Sequence, residues 1–183
     1  MKILIIFLIL FPQTKTQEKN EYVNNYMNIK KEINIFCNSQ NPMSSLKALI
    51  KYFKINEGNK NDKYYLPNNY DFKLLWKFED SLFEKCKRNY LLIKYYLQLD
   101  NVHWRNVEFS EGLRYSFYNV ALDAPKNILL SLKILNEKQR EHLLRNLDML
   151  KEVDKVDTFI KKIQEIKDKS LDKYKAQILK HFQ

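Results

Sequence analysis

The sequence predicts an all-α protein. Only two glycines and four prolines interrupt its 183 residues, whereas β-sandwiches and barrels need frequent turns built from these residues. Apolar residues recur at steps of three and four along most of the chain, which is the period of an amphipathic helix. We expect about six or seven helices, arranged as successive α-α hairpins that pack as a bundle or as a short HEAT-like solenoid.

Residues 1–16 have the pattern of an export signal and are excluded from the predicted fold. Lys2 precedes an apolar run from Ile3 to Phe11, and a short polar stretch follows. The run is about half of the roughly 20 residues that a spanning helix needs. We therefore expect cleavage before Gln17, an exported periplasmic or secreted protein, and no transmembrane span after cleavage. Residues 17–183 contain no obvious linker, which predicts a single domain.

Each predicted helix is defined by one apolar stripe. The stripes, in chain order, are Tyr22, Tyr26, Ile29, Ile33 and Phe36 with Cys37; Leu46, Leu49, Ile50 and Phe53; Phe72, Leu75, Phe78, Leu82 and Cys86; residues 90–99; Phe109, Leu113, Phe117 and Val120 with Ala121; Ile128, Leu129, Leu132 and Leu135; Leu143, Leu144, Leu147 and Leu150; and Ile160, Ile163, Ile166, Leu171, Tyr174, Ile178 and Phe182. The last stripe predicts one continuous helix from near Asp157 to the C-terminus.

Several residues mark where these helices begin and end. Pro42 and Pro125 favour helix starts, because the missing N–H of proline has no partner in the first turn. Asn136 and Gln139 resemble a capping box, which predicts a helix beginning at Glu137. Residues 55–69 are rich in Asn and contain a glycine and a proline, so we expect one long loop there.

Two of the hairpins resemble each other. Residues 78–82 and 109–113 share Phe, an acid and Leu at an offset of 31, and residues 93–99 lie over 128–134 at an offset of 35. The difference of four residues is about one helical turn and preserves the buried face. This similarity predicts hairpins packed as α-α repeats.

The formal charge of +10 does not indicate a nucleic-acid partner. Acids are mixed with the bases throughout, and Lys far outnumbers Arg, whose planar group is favoured for bidentate phosphate contacts. We expect a soluble charged surface and no nucleic acid.

Cys37 and Cys86 are the only cysteines. In an exported protein, two cysteines on different helices are first interpreted as one disulfide, here closing a loop of about fifty residues. The alternative is that both are small buried hydrophobic residues.

No catalytic or cofactor-binding motif is present, and we expect no cofactor and no metal. Two glycines cannot build a phosphate-binding loop, and the three histidines have no ligand spacing. We therefore predict no enzymatic activity, although Glu79, Asp80, Glu108 and Glu111 are the acids on which an enzyme would depend.

One polar cluster with an aromatic residue is the candidate partner-binding surface. Its residues are His103, Trp104, Arg105, Glu108, Glu111 and Arg114. These types are enriched at protein-binding hot spots. The alternative is structural, with Glu108 and Glu111 at the positive end of a helix and Arg114 pairing with Glu111. Gly112 is expected to permit close helix approach.

The stretch Glu108-Phe109-Ser110-Glu111-Gly112-Leu113, followed by Ala124-Pro125-Lys126-Asn127-Ile128-Leu129, resembles uncharacterised exported proteins of Bacteroidetes type. In these, a Ser-Glu-Gly/Ala-Leu signature precedes a helix that starts at an Asn/Ala-Pro step. The resemblance implies an all-α periplasmic or secreted domain and brings no catalytic residues.

The expected function is protein interaction without catalysis. The alternative is a binding protein for a lipid or other apolar ligand, in which helices enclose a cavity.

Overall fold

The computed structural model describes residues 27–57, 72–100 and 107–183, with the backbone alone at 54–57, 72, 107, 108 and 110. Within these ranges 88% of the residues are helical and none lies in a strand, which confirms the all-α prediction. The predicted export signal, residues 1–16, lies outside the described residues, as do residues 58–69 of the predicted loop.

The structure describes ten α-helices in these ranges. Helix α1 covers residues 27–38, and the others are α2 Met43–Glu57, α3 Phe72–Arg88, α4 Ile93–Asp100, α5 Val107–Asp123, α6 Pro125–Ile134, α7 Glu137–Leu147, α8 Met149–Glu152, α9 Val156–Glu165 and α10 Asp172–Phe182. Single 3₁₀ turns at Tyr90–Leu92 and Lys169–Leu171 lead into α4 and α10. No helix in the described ranges is long and apolar enough to span a membrane.

The predicted helix starts are confirmed. Pro125 opens α6, and the carbonyl of Pro42 accepts the Leu46 N–H at 3.0 Å in the first turn of α2. At the start of α7, Asn136 Oδ1 accepts the Gln139 N–H at 2.9 Å, and Gln139 Oε1 accepts the Asn136 N–H at 3.3 Å. This reciprocal pair is a complete capping box.

The predicted continuous C-terminal helix is wrong. The chain leaves the helix at Ile166, where ψ is 112°, and it turns through Asp168 before α10. Asp168 Oδ1 accepts hydrogen bonds from the backbone N–H of Ser170 at 3.1 Å and from its hydroxyl at 2.8 Å. This side chain competes with helical hydrogen bonds, as Asp does at caps. The break lets α10 pack on both α6 and α9. At the other boundary, α2 extends to Glu57 and so enters the predicted loop 55–69.

Helices α1 and α3 lie side by side and run in the same direction. The rings of Phe36 and Phe78 meet edge-on with centroids 5.1 Å apart. Farther along both helices, Lys85 Nζ donates to the carbonyl of Ser39 at the end of α1, at 2.9 Å. The contacts advance together along the two chains, which defines parallel packing.

Helix α5 continues this stack on the other side of α3. Trp76 and Phe109 meet edge-on near the starts of α3 and α5, at 6.5 Å between centroids. Near the ends of the same helices, Lys87 Nζ lies 2.8 Å from Asp123 Oδ2. Parallel stacking of the first helices of successive hairpins is the arrangement of α-α repeats, which is the packing that the sequence similarity between the hairpins predicts.

Helix α7 packs against both α4 and α5. Between these helices the ring of Tyr96 stacks on Phe117 with centroids 4.4 Å apart and planes 3° from parallel. The predicted stripes of α5 and α6 are buried throughout their described length.

Candidate functional site

The structure describes only part of the predicted partner-binding cluster. His103, Trp104 and Arg105 lie outside the described residues, and only the backbone of Glu108 is described. Glu111 and Arg114 are both exposed on α5.

Glu111 and Arg114 belong to a larger exposed surface on the outer side of α5. At 100° per residue, Glu111 and Tyr115 point away from the buried residues of this helix. Trp76 of α3 lies along one edge and Arg114 along the other. Tyr115 is 48% exposed and Trp76 is 39% exposed. We call these four residues, Trp76, Glu111, Arg114 and Tyr115, the α5 face.

Gly112 allows α3 to approach the α5 face closely. A Cβ atom at this position would lie 2.8 Å from Cζ3 of Trp76 and 2.9 Å from Oε2 of Glu79. Both distances are shorter than a side chain tolerates. Gly112 therefore leaves room for the side chains of Trp76 and Glu79 from α3.

Arg114 pairs with Asp100 rather than showing the expected contact with Glu111. Arg114 Nε lies 3.5 Å from Asp100 Oδ1. Asp100 Oδ2 accepts from Asn146 Nδ2 at 3.1 Å and lies 2.6 Å from His142 Nε2. Asp100, Arg114, His142 and Asn146 form what we call the Asp100 cluster, which links α4, α5 and α7.

The Asp100 cluster holds a buried carboxylate in its charged form. The Asp100 side chain is only 5% exposed. Burial by itself raises the pKa of Asp100, but hydrogen bonds from His142 and Asn146 and the charges of His142 and Arg114 outweigh it and leave the pKa below its usual value. The arrangement joins three helices and fixes Arg114 on the α5 face.

Glu79 is a second buried acid, placed between α3 and α5. It is 3% exposed. Its Oε1 accepts a hydrogen bond from the Ser116 hydroxyl, while Oε2 has no hydrogen-bond partner in the described part of the chain. Burial raises the pKa of Glu79, the Ser116 hydrogen bond lowers it, and the charge of Asp80 raises it, for a net upward shift.

Among the acids on which an enzyme would depend, the three with described side chains do not converge. Glu79 points into the core, whereas its neighbour Asp80 and Glu111 are exposed. Within the described ranges, no group of three or more His, Cys, Asp or Glu side chains is placed to hold a metal ion.

The structure has Cys37 and Cys86 as free thiols, in contrast to the expected disulfide. Phe36, not Cys37, occupies the inward position of α1. The Cys37 sulfur lies 3.8 Å from the carbonyl oxygen of Lys77, and its other polar neighbour is Ser81. Cys86 is five residues beyond Ser81, or about 7.5 Å farther along α3. A bridge needs Cα atoms within roughly 7 Å. Cys37 contacts α3 at Lys77 and Ser81, too far from Cys86 along the helix axis for a bridge. The alternative of a buried hydrophobic residue describes Cys86, which is fully buried, but not the half-exposed Cys37.

An open pocket of about 580 Å³ lies between the first turn of α6 and the chain that joins α9 to α10. Its lining residues are Lys126, Ile166, Lys167, Asp168 and Lys169. Sequence analysis missed it because Lys126 lies about forty residues from the others. The only local signal was the Lys-Asp-Lys sequence in a stretch that we predicted to be helical.

No protein-family model matches the chain, and neither a curated protein nor a solved structure matches it significantly. The functional argument therefore depends on the geometry of the α5 face and of the surrounding helices.

Proposed function

We propose that this chain is an exported, non-enzymatic domain that binds another protein through the α5 face. The observation that supports the proposal is the exposure of Trp76 and Tyr115, at 39% and 48%, beside the charged Glu111 and Arg114. Trp, Tyr and Arg are the residue types that dominate the energetics of protein interfaces.

The anchors of the α5 face are held in place before any partner arrives. Trp76 packs over Gly112 and against the edge of Phe109, and Arg114 is paired with the buried Asp100. Side chains that are already ordered lose less entropy on binding, so more of the contact energy contributes to affinity.

The apolar-ligand alternative has less support from the described residues. The pocket between α6 and the α9–α10 connection is open, and three of its five lining residues are lysines. Such a lining does not suit an apolar ligand, which needs an enclosed and mostly hydrophobic site.

The proposal is tested with an immobilised chain and extracts of the native exported fraction. The variant Trp76→Ala/Tyr115→Ala removes both aromatic anchors. The control Leu91→Ala/Ile134→Ala removes two apolar side chains that are each 41% exposed elsewhere. A partner retained by the wild type and the control and lost by the α5-face variant is the expected result.

Equal retention by the α5-face variant would refute this surface as the binding site. Native mass spectrometry of the same purified protein supplies the second test, because a lipid that co-purifies would favour the apolar-ligand alternative.

A further inference from the structure

The pocket between α6 and the α9–α10 connection carries an excess of positive charge. Lys126, Lys167 and Lys169 line it together with a single acid, Asp168. Lys133 is also near, because its charge acts on Asp168 along with that of Lys126. Three lysines and one acid therefore line the pocket, and the charge of a fourth lysine acts on the acid.

Asp168 is one carboxylate among three lining lysines, so it offsets at most one of their charges. Its Oδ1 is occupied by the two hydrogen bonds from Ser170. Its Oδ2 lies 3.8 Å from Lys126 Nζ, which is the outer limit of an ion pair, and the Lys126 side chain is 58% exposed. Nearby lysines differ in this respect, since Lys175 pairs with Asp172 at 2.8 Å.

We propose that this pocket binds the phosphate group of a ligand. Lysine ammonium groups bind phosphate as point charges that adjust on flexible stems, and several of them converging on one concave surface raise the local concentration of anions. The half-buried Ile166 supplies an apolar wall for the part of the ligand next to the phosphate.

The site goes beyond the proposed function, because it uses α6 and the α9–α10 connection and none of the residues of the α5 face. A ligand here and a protein partner there are therefore separable by mutation. Trp76→Ala/Tyr115→Ala should bind phosphate like the wild type, whether or not the α5 face binds a partner.

In the first experiment, the whole chain is titrated with inorganic phosphate at low salt, and NMR monitors the binding. Lys126→Gln/Lys167→Gln/Lys169→Gln should weaken binding by at least about tenfold, because exposed charge pairs contribute up to about fivefold each. The matched control Lys30→Gln/Lys51→Gln/Lys138→Gln removes the same net charge from α1, α2 and α7, and it should bind nearly as tightly as the wild type.

A variant with the opposite expected sign separates a site from general charge attraction. Asp168→Asn removes the single carboxylate of the pocket and keeps an oxygen that can accept from Ser170. It should bind phosphate several-fold more tightly than the wild type. Equal affinities for the pocket variant and the matched control, or no gain in Asp168→Asn, would refute the site.

A second arm identifies the source of the phosphate. Vesicles of phosphatidylcholine with phosphatidic acid are compared with vesicles of phosphatidylcholine alone in co-sedimentation. Binding to the first kind, increased by Asp168→Asn, supports a lipid headgroup as the ligand. Phosphate binding without vesicle binding supports a soluble phosphate compound.

Discussion

The buried side chain of Glu79 reduces the stability of the fold when it is charged. The carboxyl group is buried beside Gly112, and one of its oxygens has no hydrogen-bond partner among the described residues. A buried acid in such a place favours its neutral form, so its pKa rises above that of an ordinary glutamate. At pH values between the ordinary pKa of glutamate and the higher pKa of the folded state, folding therefore takes up a proton.

The sign of the pH dependence follows from this shift. The stability contributed by Glu79 is fully present below the ordinary pKa of glutamate, and it is lost as the pH rises through the higher pKa of the folded state. Glu79→Gln should abolish this loss and raise the free energy of unfolding by about 1 kcal/mol at neutral pH. Chemical denaturation from pH 4 to pH 8 measures it.

Glu141 is an exposed acid, and the variant Glu141→Gln serves as the control for Glu79→Gln. Its free energy of unfolding should depend on pH as in the wild type. If the free energy of unfolding of Glu79→Gln changed with pH as it does in the wild type, burial of Glu79 would not be the cause of the pH dependence.

The two cysteines should differ in reactivity. Cys37 is partly exposed, whereas Cys86 is fully buried and burial raises the pKa of its thiol far above the usual range. Because the thiolate is the reactive form, iodoacetamide should modify Cys37 in the native protein at least about ten times faster than Cys86, which reacts only when α3 opens. Peptide mass spectrometry at timed intervals distinguishes them. Finding no free thiol without a reductant would mean that the disulfide forms after all.

At the scale of elements, the capping box of α7 lies within a single helical turn. Asn136 and Gln139 satisfy two backbone N–H groups reciprocally at the first turn. Asn136→Ala leaves one of them without a side-chain acceptor. We expect a loss of about 1 kcal/mol in the free energy of unfolding, measured by urea denaturation. Lys138→Ala, an exposed change in the same turn, should have almost no effect; a similar loss in both variants would show that the cap contributes little.

Helix α7 also shows how a structural element positions a functional surface. Its residues His142 and Asn146 hold Asp100, which in turn pairs with Arg114 on the α5 face. The start of α7 and the orientation of Arg114 are thus connected through one buried carboxylate.

At the scale of the molecule, local sequence signals predict most of the described helices. Apolar steps of three and four define stripes within each helix, and Pro125 and Asn136 act within one turn. The break at Ile166 was missed because the apolar residues keep the helical period through it, and only the hydrogen bonds of Asp168 show that the chain turns.

The contacts that build the sites were not predictable in this way. Asp100 and His142 are 42 residues apart, and Lys126 and Asp168 are also 42 residues apart. Nothing in the sequence near either residue identifies its partner. Of the predicted surface, the structure describes Glu111 and Arg114 and adds Trp76 and Tyr115, whose exposure depends on how α3 and α5 pack.

The prediction at this scale concerns export. Expressed with residues 1–16 in its native host, the protein should be recovered outside the cytoplasm with Gln17, or a residue within a few positions of it, as the new N-terminus. N-terminal sequencing of both fractions provides the measurement, and intact Met1 in the cytoplasm would contradict it.

The parallel stack of α1, α3 and α5 has a consequence for how the chain folds during synthesis. Its hydrogen bonds join distant residues, with Ser39 and Lys85 separated by 46 positions and Glu79 and Ser116 by 37. At about 5–20 residues per second, a ribosome needs about 2–9 s to supply the next helix of the stack, whereas a helix forms in about 1 μs. Each new helix of the stack therefore waits for seconds before the side that faces the next stack helix is covered. During that interval the uncovered apolar side can contact other proteins in the cell. Slowing the synthesis of the chain lengthens the period in which it can aggregate.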